Sequence, residues 1–186
     1  MTARGPQSAV MSLSCCPTAV IEGADAHSIQ RCLADFEGRQ GPGLRIAGVV
    51  EVFPDPEGDA ACKQSFLRSL GLRREFALFQ DLGYSTDGCA LLPEGLVTAA
   101  HEVCEDIARG CDLIILSKFE KLEAENGSGL VPAYVAALEV GVPILTSVSP
   151  RYRQAWEAFA TPLFSSLECS LDALCYWWDG LQKPTP

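Results

Sequence analysis

The sequence has no apolar run of membrane-spanning length and little positive charge. Its apolar stretches are all shorter than the roughly 18 residues that a transmembrane helix requires. The chain carries 14 Lys and Arg against 24 Asp and Glu, which gives a net charge of −10. Because the basic residues are also scattered, the phosphates of a nucleic acid are unfavourable ligands. We therefore expect neither a membrane nor a nucleic acid as a partner.

Paired cysteines and a secretory leader are missing as well. The nine cysteines are odd in number and include no Cys-x-x-Cys pair, so neither a disulfide framework nor a zinc ribbon is predicted. His101, Cys104 and Glu105 share a predicted helix face, but zinc usually takes four ligands. The N-terminus lacks the apolar core of a signal peptide. These absences predict a cytoplasmic protein with a flexible tail at residues 1–17 and a single domain at 18–183.

What the chain does have is an alternation of strand-like and helix-like segments. Two short runs at 65–70 and 74–79, separated by Gly71, predict an antiparallel hairpin. Longer runs rich in Val, Ile and Leu predict strands that are covered on both faces, at residues 17–23, 44–53, 111–117 and 142–148.

Capping signals predict helices between these strands. Asp25 precedes the first helix and Gly110 ends the helix that begins at Pro93, while Pro132 and Pro150 open two more. Ser165 and Glu168 have the spacing of a capping box that opens the last helix. The predicted fold class is a three-layer α/β domain with a mainly parallel sheet and a β-hairpin insertion.

The loops that follow the strands are the expected ligand site, because open parallel sheets bind ligands beyond the carboxyl ends of their strands. Three loops qualify, at residues 22–28, 81–89 and 117–129. The first loop lacks the GxxxxGK[ST] pattern of a phosphate loop, since residues 20–28 contain one Gly and no Lys. A carboxylate from Asp25 at the helix cap would compete with a phosphate for the helix amide groups.

The third loop, within "LIILSKFEKLEAENGSGL", carries five charges directly after a buried strand. Lys118 is expected at an exposed strand end, where a Lys, backbone amides and a Gly-Ser-Gly turn could hold a tetrahedral oxyanion such as molybdate or phosphate. The alternative is a solvated loop whose opposite charges pair at i, i+3, each pair contributing about 0.2 to 0.5 kcal/mol. For Asp81 and Gly83 the alternative is an ordinary turn.

Three stretches carry a family resemblance. "FQDLGYSTDGCALLPEGL", "LIILSKFEKLEAENGSGL" and "GVPILTSVSPRYRQAWEAFA" resemble successive motifs of the bacterial family called domain of unknown function 2478. The family in turn is similar to small P-loop nucleoside-triphosphatases, and the resemblance implies a P-loop-NTPase-like fold. It also implies that Ser117 and Lys118 stand where those enzymes have a magnesium-facing Asp-Glu pair, and that Glu123 stands where they keep a Glu.

The resemblance therefore implies a lost or altered triphosphatase activity. Members of the family are often encoded beside molybdate-uptake genes, which implies a link to molybdenum metabolism. The expected function is a binding module for a small anion or a nucleotide-like ligand that is not hydrolysed. No catalytic residue, metal or cofactor is assigned. The expected ligand-binding residues are Asp25, Asp81, Gly83, Ser117, Lys118, Lys121, Glu123, Gly127 and Gly129.

Two other functions remain open. The first is a divergent magnesium-dependent nucleoside-triphosphatase in which Asp81, Glu120 or Glu123 replaces the missing carboxylate. The second is an oligomeric partner-binding protein, for which an apolar patch around Tyr176, Trp177 and Trp178 on the last helix would be the sign. A homo-oligomer formed through that helix is the corresponding expectation.

Overall fold

A computed structural model describes residues 16–53, 65–80, 90–160 and 164–182. The strands are β1 Thr18–Glu22, β2 Ile46–Val52, β3 Phe66–Ser69, β4 Glu75–Ala77, β5 Phe79–Gln80, β6 Ala90–Leu91, β7 Leu113–Phe119, β8 Ile144–Val148 and β9 Ser165–Glu168. The helices are α1 Ala26–Arg39, α2 Pro93–Arg109, α3 Lys121–Asn126, α4 Val131–Val140, α5 Arg153–Phe159 and α6 Leu171–Gln182, with a 3-10 turn at Pro150–Tyr152.

Seven strands form one sheet in the order β4-β3-β2-β7-β8-β1-β9. Neighbours among β2, β7, β8, β1 and β9 are parallel, whereas β3 and β4 add an antiparallel hairpin beside β2. Helices cover both faces of the sheet. The predicted three-layer α/β fold with a mainly parallel sheet and a hairpin insertion is confirmed.

The central strand β7 separates two hydrophobic cores. Ile114 and Leu116 pack with α2, α4 and α5 on one face, and Leu113 and Ile115 pack with α1 and α6 on the other. All four side chains are fully buried. A strand that is covered on both faces has to be apolar throughout, which explains the run of four aliphatic residues.

The carboxyl end of β7 rests on a cluster of aromatic rings. The ring centroid of Phe119 lies 5.2 Å from that of Trp156 and 5.9 Å from that of Tyr134, both in edge-to-face geometry. The Tyr134 hydroxyl and Thr146 Oγ1 are hydrogen-bonded at 2.6 Å inside the core. The end of β7 is therefore fixed against α4, α5 and β8.

The expected capping box at residues 165–168 is wrong. These residues form β9, which pairs in parallel with β1 and covers its open edge. The last helix begins at Leu171, where Ser170 Oγ accepts a hydrogen bond from Ala173 N at 3.2 Å. Backbone pairing along the whole strand outweighs the single cap that the Ser and Glu spacing would provide.

The described residues do not form the aromatic patch on the last helix that would have been the sign of a partner-binding protein. Trp177 and Trp178 are 2% and 6% exposed and belong to the core under α1, whereas Tyr176 is 82% exposed. The described residues therefore present one exposed aromatic side chain there, and the homo-oligomer through α6 stays a prediction. None of the helices built from the described residues has the length and apolar character that a membrane span needs.

A glycine in β2 allows the two central strands to approach. Gly48 has a φ of 120°, and a Cβ at this position would collide with the carbonyl oxygen of Ile115 in β7. We expect Gly48→Ala to lower the free energy of unfolding by at least about 2 kcal/mol, through backbone strain and loss of the β2–β7 register. Urea unfolding followed by circular dichroism measures this change.

The matched control is Gly38→Ala in α1, where a Cβ would meet nothing within 4 Å. This substitution should raise stability by about 0.5 to 1 kcal/mol, because alanine is the better helix former. Equal effects of the two substitutions would contradict the assigned role of Gly48.

Candidate ligand site at the carboxyl edge of the sheet

The chain leaves the carboxyl ends of β1 and β8 in opposite directions. The helix after β1, α1, packs on one face of the sheet, whereas α5, which follows β8, places Trp156 on the other face. Adjacent parallel strands whose connections diverge leave a crevice for ligands. The crevice here has a volume of about 280 Å³ and is lined by Ile21, Glu22, Gly23, Ala24, Ile29, Val148, Pro150 and Arg153.

The loop between β1 and α1 is too short for a phosphate loop. It contains only Gly23, Ala24 and Asp25, and the expected cap is present, since Asp25 Oδ1 accepts a hydrogen bond from Ser28 N at 3.0 Å. The hydrogen bonds from the Ser28 hydroxyl and amide lower the pKa of the Asp25 carboxyl. An ionised carboxylate therefore occupies the helix terminus at which P-loop proteins hold a phosphate.

Arg153 stands on the opposite wall of the crevice. Its guanidinium contacts the carboxylate of Glu22 at the end of β1 and lies 2.8 Å from Glu157 Oε1. The guanidinium carbon lies 5.0 Å from the centroid of the Phe164 ring. Two carboxylates share this charge, so Arg153 joins α5 to the β1 edge of the sheet.

The charged stretch after β7 forms a short helix, α3, rather than the expected loop. Glu123 accepts hydrogen bonds from Glu120 N at 3.0 Å and from Leu130 N at 2.9 Å, and it is 7% exposed. Burial raises the pKa of the Glu123 carboxyl even though these two donors act in the opposite direction. Two backbone N–H groups that would otherwise lack partners thus hold Glu123 in place.

The two glycines of the same stretch shape the chain around that carboxylate. Gly127 ends α3 in the left-handed conformation. A Cβ on Gly129 would collide with the carboxylate of Glu123. Both glycines therefore have a conformational role beside the ligand-binding role predicted for them.

Lys118 is not at an exposed strand end, contrary to the expectation. Its side chain is 29% exposed, and Nζ lies 3.2 Å from Glu51 Oε2 and 3.0 Å from Glu120 Oε2. Burial by itself lowers the pKa of Lys118, but the attraction of Glu51 and Glu120 outweighs it and the pKa is raised. A charged ammonium group is therefore fixed between two carboxylates.

A small cavity opens beside this ammonium group. It has a volume of about 70 Å³, which is room for about two water molecules. Its polar lining comes from Glu51, Ser117, Lys118, Glu120, Lys121 and Glu123. Lys118 has three N–H donors and two neighbouring carboxylates, so one donor remains for a ligand.

A buried hydrogen-bond network connects the elements that carry these groups. The carbonyl oxygen of Ser117 accepts hydrogen bonds from Gln30 Nε2 at 2.6 Å and from Ser147 Oγ at 2.8 Å. Gln30 Oε1 in turn accepts from Glu51 N at 2.8 Å. The network ties α1, β2, β7 and β8 together between the crevice and the small cavity.

The structure brings four of the predicted site residues to one cavity, namely Ser117, Lys118, Lys121 and Glu123. Asp25 belongs to the separate loop after β1, and Asp81 and Gly83 lie outside the described residues. His101 Nε2 is 3.6 Å from Glu105 Oε1, but no set of three metal-binding side chains is found in the described parts of the chain.

The sequence prediction missed Gln30, Glu51 and Arg153. The sequence could have indicated a role for Glu51, because this charged residue interrupts the apolar run "IAGVVEVF" of a strand predicted to be covered on both faces. Gln30 and Arg153 had none, since the partners that place them in the site, Ser117 and Glu51 for Gln30 and Glu22 for Arg153, are distant in the sequence.

These features define a three-layer α/β domain of the P-loop-NTPase-like class in which the loop after β1 has only three residues. The chain belongs to the family described as Protein of unknown function (DUF2478), whose model matches residues 18–177. It is also 34% identical over 148 residues to the Molybdenum import ATP-binding protein ModC 2 of Bradyrhizobium diazoefficiens. That match covers 78% of this chain but only 16% of the relative. No solved structure matches the chain.

Glu123 is expected to matter for stability whatever the ligand. Glu123→Ala leaves the N–H groups of Glu120 and Leu130 without their acceptor and should lower the free energy of unfolding by about 2 kcal/mol. Glu125→Ala is the matched control, because Glu125 is exposed and bonds only the Tyr152 hydroxyl among the described residues. The control should change stability by less than about 0.5 kcal/mol. Chemical denaturation of both variants tests this, and equal losses would contradict it.

Proposed function

We propose that this protein is a binding module for a small tetrahedral oxyanion, that it does not hydrolyse nucleotides, and that it serves molybdenum metabolism in the cytoplasm. The observation that carries the proposal is the cavity of about 70 Å³ in which the Lys118 ammonium group is held by Glu51 and Glu120. Ser117, Lys118 and Lys121 line it and supply the donors, and the carboxylates of Glu51, Glu120 and Glu123 complete its polar lining.

The size of the cavity favours an oxyanion over a nucleotide. Sites for drug-sized ligands usually measure about 300 to 1,000 Å³, whereas a tetrahedral oxyanion fills the space of a few water molecules. The crevice of about 280 Å³ beside β1 is larger, but the Asp25 carboxylate already accepts the Ser28 N–H group at the start of α1, which a phosphate would need.

The position of Lys118 argues against magnesium-dependent chemistry. Magnesium is usually bound by one or two carboxylates together with water and substrate phosphates. Here the two carboxylates nearest the end of β7, Glu51 and Glu120, already hold an ammonium group. The third, Glu123, accepts two backbone hydrogen bonds. Lys118 thus already pairs with the two carboxylates on which a divalent cation would depend.

The link to molybdenum rests on the printed name of the relative. That protein is an ATP-binding protein of molybdenum import, and this chain corresponds to only 16% of it. A segment like this chain is therefore built into a molybdenum importer component, and molybdate is a tetrahedral oxyanion of the kind that the cavity would accept. The activity of the whole relative is not transferred to this chain.

Thermal unfolding with oxyanions tests the proposed binding. Molybdate, tungstate, sulfate and phosphate are added separately to the full chain without magnesium. At 100 times its dissociation constant, a ligand of the folded state adds about 2.7 kcal/mol of stability. For a chain of this length that corresponds to roughly 2 to 4 °C per kcal/mol in Tm. We expect at least one oxyanion to raise Tm, and the shift to be lost in Lys118→Met.

Each variant is compared with its own ligand-free Tm, because Lys118→Met also removes the ion pair of the buried Glu51, whose remaining partner is the Ser65 hydroxyl. Lys121→Met, which removes an exposed cation of the cavity, should weaken binding without that loss of stability. Glu120→Gln should have the opposite effect and strengthen binding, because it frees a donor of Lys118. No shift with any oxyanion would argue for the partner-binding alternative, and a shift unchanged in both lysine variants would place the pocket elsewhere.

Hydrolysis separates the binding module from the divergent triphosphatase. P-loop enzymes accelerate phosphoryl transfer by positioning the phosphates with a loop, a Lys and magnesium. The loop after β1 has three residues, and the carboxylates of Glu51 and Glu120 are already paired with Lys118, so we expect no magnesium-dependent release of phosphate from ATP or GTP above background. Measurable turnover that disappears in Glu120→Gln or Glu123→Gln would establish the enzyme instead.

A further inference from the structure

Three cysteines converge where the first and last helices meet. Cys32 lies on α1, Cys175 lies on α6, and Cys169 lies in the turn between β9 and α6. All three side chains are half-buried and pack against the core on the α1 face of the sheet. None of them lines the cavities of the carboxyl edge. The proposed oxyanion binding therefore does not use these thiols.

Two of the three thiols are in direct contact. The side chains of Cys32 and Cys169 are hydrogen-bonded to each other, and Cys175 is close enough to act on Cys32 electrostatically. A disulfide joins sulfur atoms that are about 2.05 Å apart. The pair that is already in contact can therefore form this bond with the smallest movement.

The backbone at both members of the pair is well anchored. Cys32 precedes Leu33, whose side chain is fully buried in the core beneath α1. The turn at Cys169 is closed by a hydrogen bond from Ser170 N to Glu168 O at 2.8 Å, and β9, directly before it, pairs with β1. The fold thus brings together two thiols that are far apart in the sequence.

The two thiols differ in their readiness to lose a proton. Burial, followed by the neighbouring Cys169 sulfur, raises the pKa of the Cys32 thiol to about 12. Cys32 therefore keeps its proton at neutral pH and donates it to the hydrogen bond with Cys169. Since a thiolate is the form that attacks a disulfide, the first attack falls to Cys169, and Cys32 reacts second.

We propose that Cys32 and Cys169 form a reversible disulfide by exchange with a low-molecular-weight disulfide such as oxidised glutathione. The Cys169 sulfur attacks one sulfur of the oxidant, and a mixed disulfide forms while one glutathione leaves with the proton that Cys169 has lost. The Cys32 sulfur then attacks the Cys169 sulfur, and its proton goes to the second glutathione as it leaves. Two cysteines are oxidised, and one disulfide is reduced to two thiols.

Such a bond would join α1 to the turn before α6. Gln30 on the same helix holds the Ser117 carbonyl through its Nε2 group, so the bond would fix a helix that supports the carboxyl edge. A link between residues far apart in the sequence restricts the unfolded chain and stabilises the fold. In a reducing compartment such as the cytoplasm, a disulfide of this kind is transient and responds to the supply of oxidant.

Mass spectrometry of the full chain tests the proposal. The protein is equilibrated with reduced or oxidised glutathione, its free thiols are alkylated, and it is digested with trypsin without reduction. Trypsin releases Cys32 in the peptide 32–39, and the peptide that contains Cys169 also contains Cys175. We expect these two peptides to be linked after oxidation and separate after treatment with dithiothreitol. The link should persist in Cys175→Ser and be lost in Cys169→Ser.

Thermal unfolding is the second measurement. The oxidised protein should have a Tm at least about 4 °C above that of the reduced protein, and this difference should be absent in Cys169→Ser. Cys104→Ser is the matched control, because Cys104 packs against the core on the opposite face of the sheet, and it should keep both the link and the Tm difference.

Two results would overturn the proposal. The first is a Cys32 thiol that is still alkylated after equilibration with oxidised glutathione. The second is a link that survives in Cys169→Ser and disappears in Cys175→Ser, because Cys175 would then be the partner of Cys32.

Discussion

Burial of β7 on both faces determines where polar chemistry can lie in this fold. Its residues from Leu113 to Leu116 alternate between two apolar cores, so the strand tolerates polar groups only near its carboxyl end. Ser117 and Lys118 are the first such residues, and the Ser117 carbonyl is held by Gln30 and Ser147. The candidate site is therefore where the apolar strand ends, and the helices and strands around it are fixed through the Ser117 carbonyl.

If the proposed ligand binds at this edge, the charges there couple stability to its binding. The Glu51 side chain is only 3% exposed, and an unpaired carboxylate at such a position is strongly unfavourable. Lys118 compensates Glu51 and is itself shared with Glu120. Lys118 is thus both the proposed anion-binding group and the cation that compensates the buried Glu51 carboxylate. A change at Lys118 would therefore affect both ligand binding and stability.

The features predicted from sequence are those whose cause is local. The buried strands follow from apolar runs, and Asp25 caps α1 because its partner Ser28 is three residues away. The capping box at 165–168 was wrong because pairing with β1, far away in the sequence, decides the structure of that segment. In the same way, the sequence predicts an exposed Lys118, because its partner Glu51, 3.2 Å away in the structure, is distant in the sequence.

At the proposed oxyanion site, selectivity would have to come mainly from shape. At physiological ionic strength, charge effects fade beyond about 8 Å. The net charge of −10 therefore matters less to a bound anion than the lysine N–H donors that contact it. Doubly charged oxyanions differ little in their attraction to the same ammonium groups. They do differ in size, and molybdate is larger than phosphate and sulfate. The volume of the cavity beside Lys118 would therefore distinguish molybdate from them, because Gln30 and Ser147 hold the cavity wall in place.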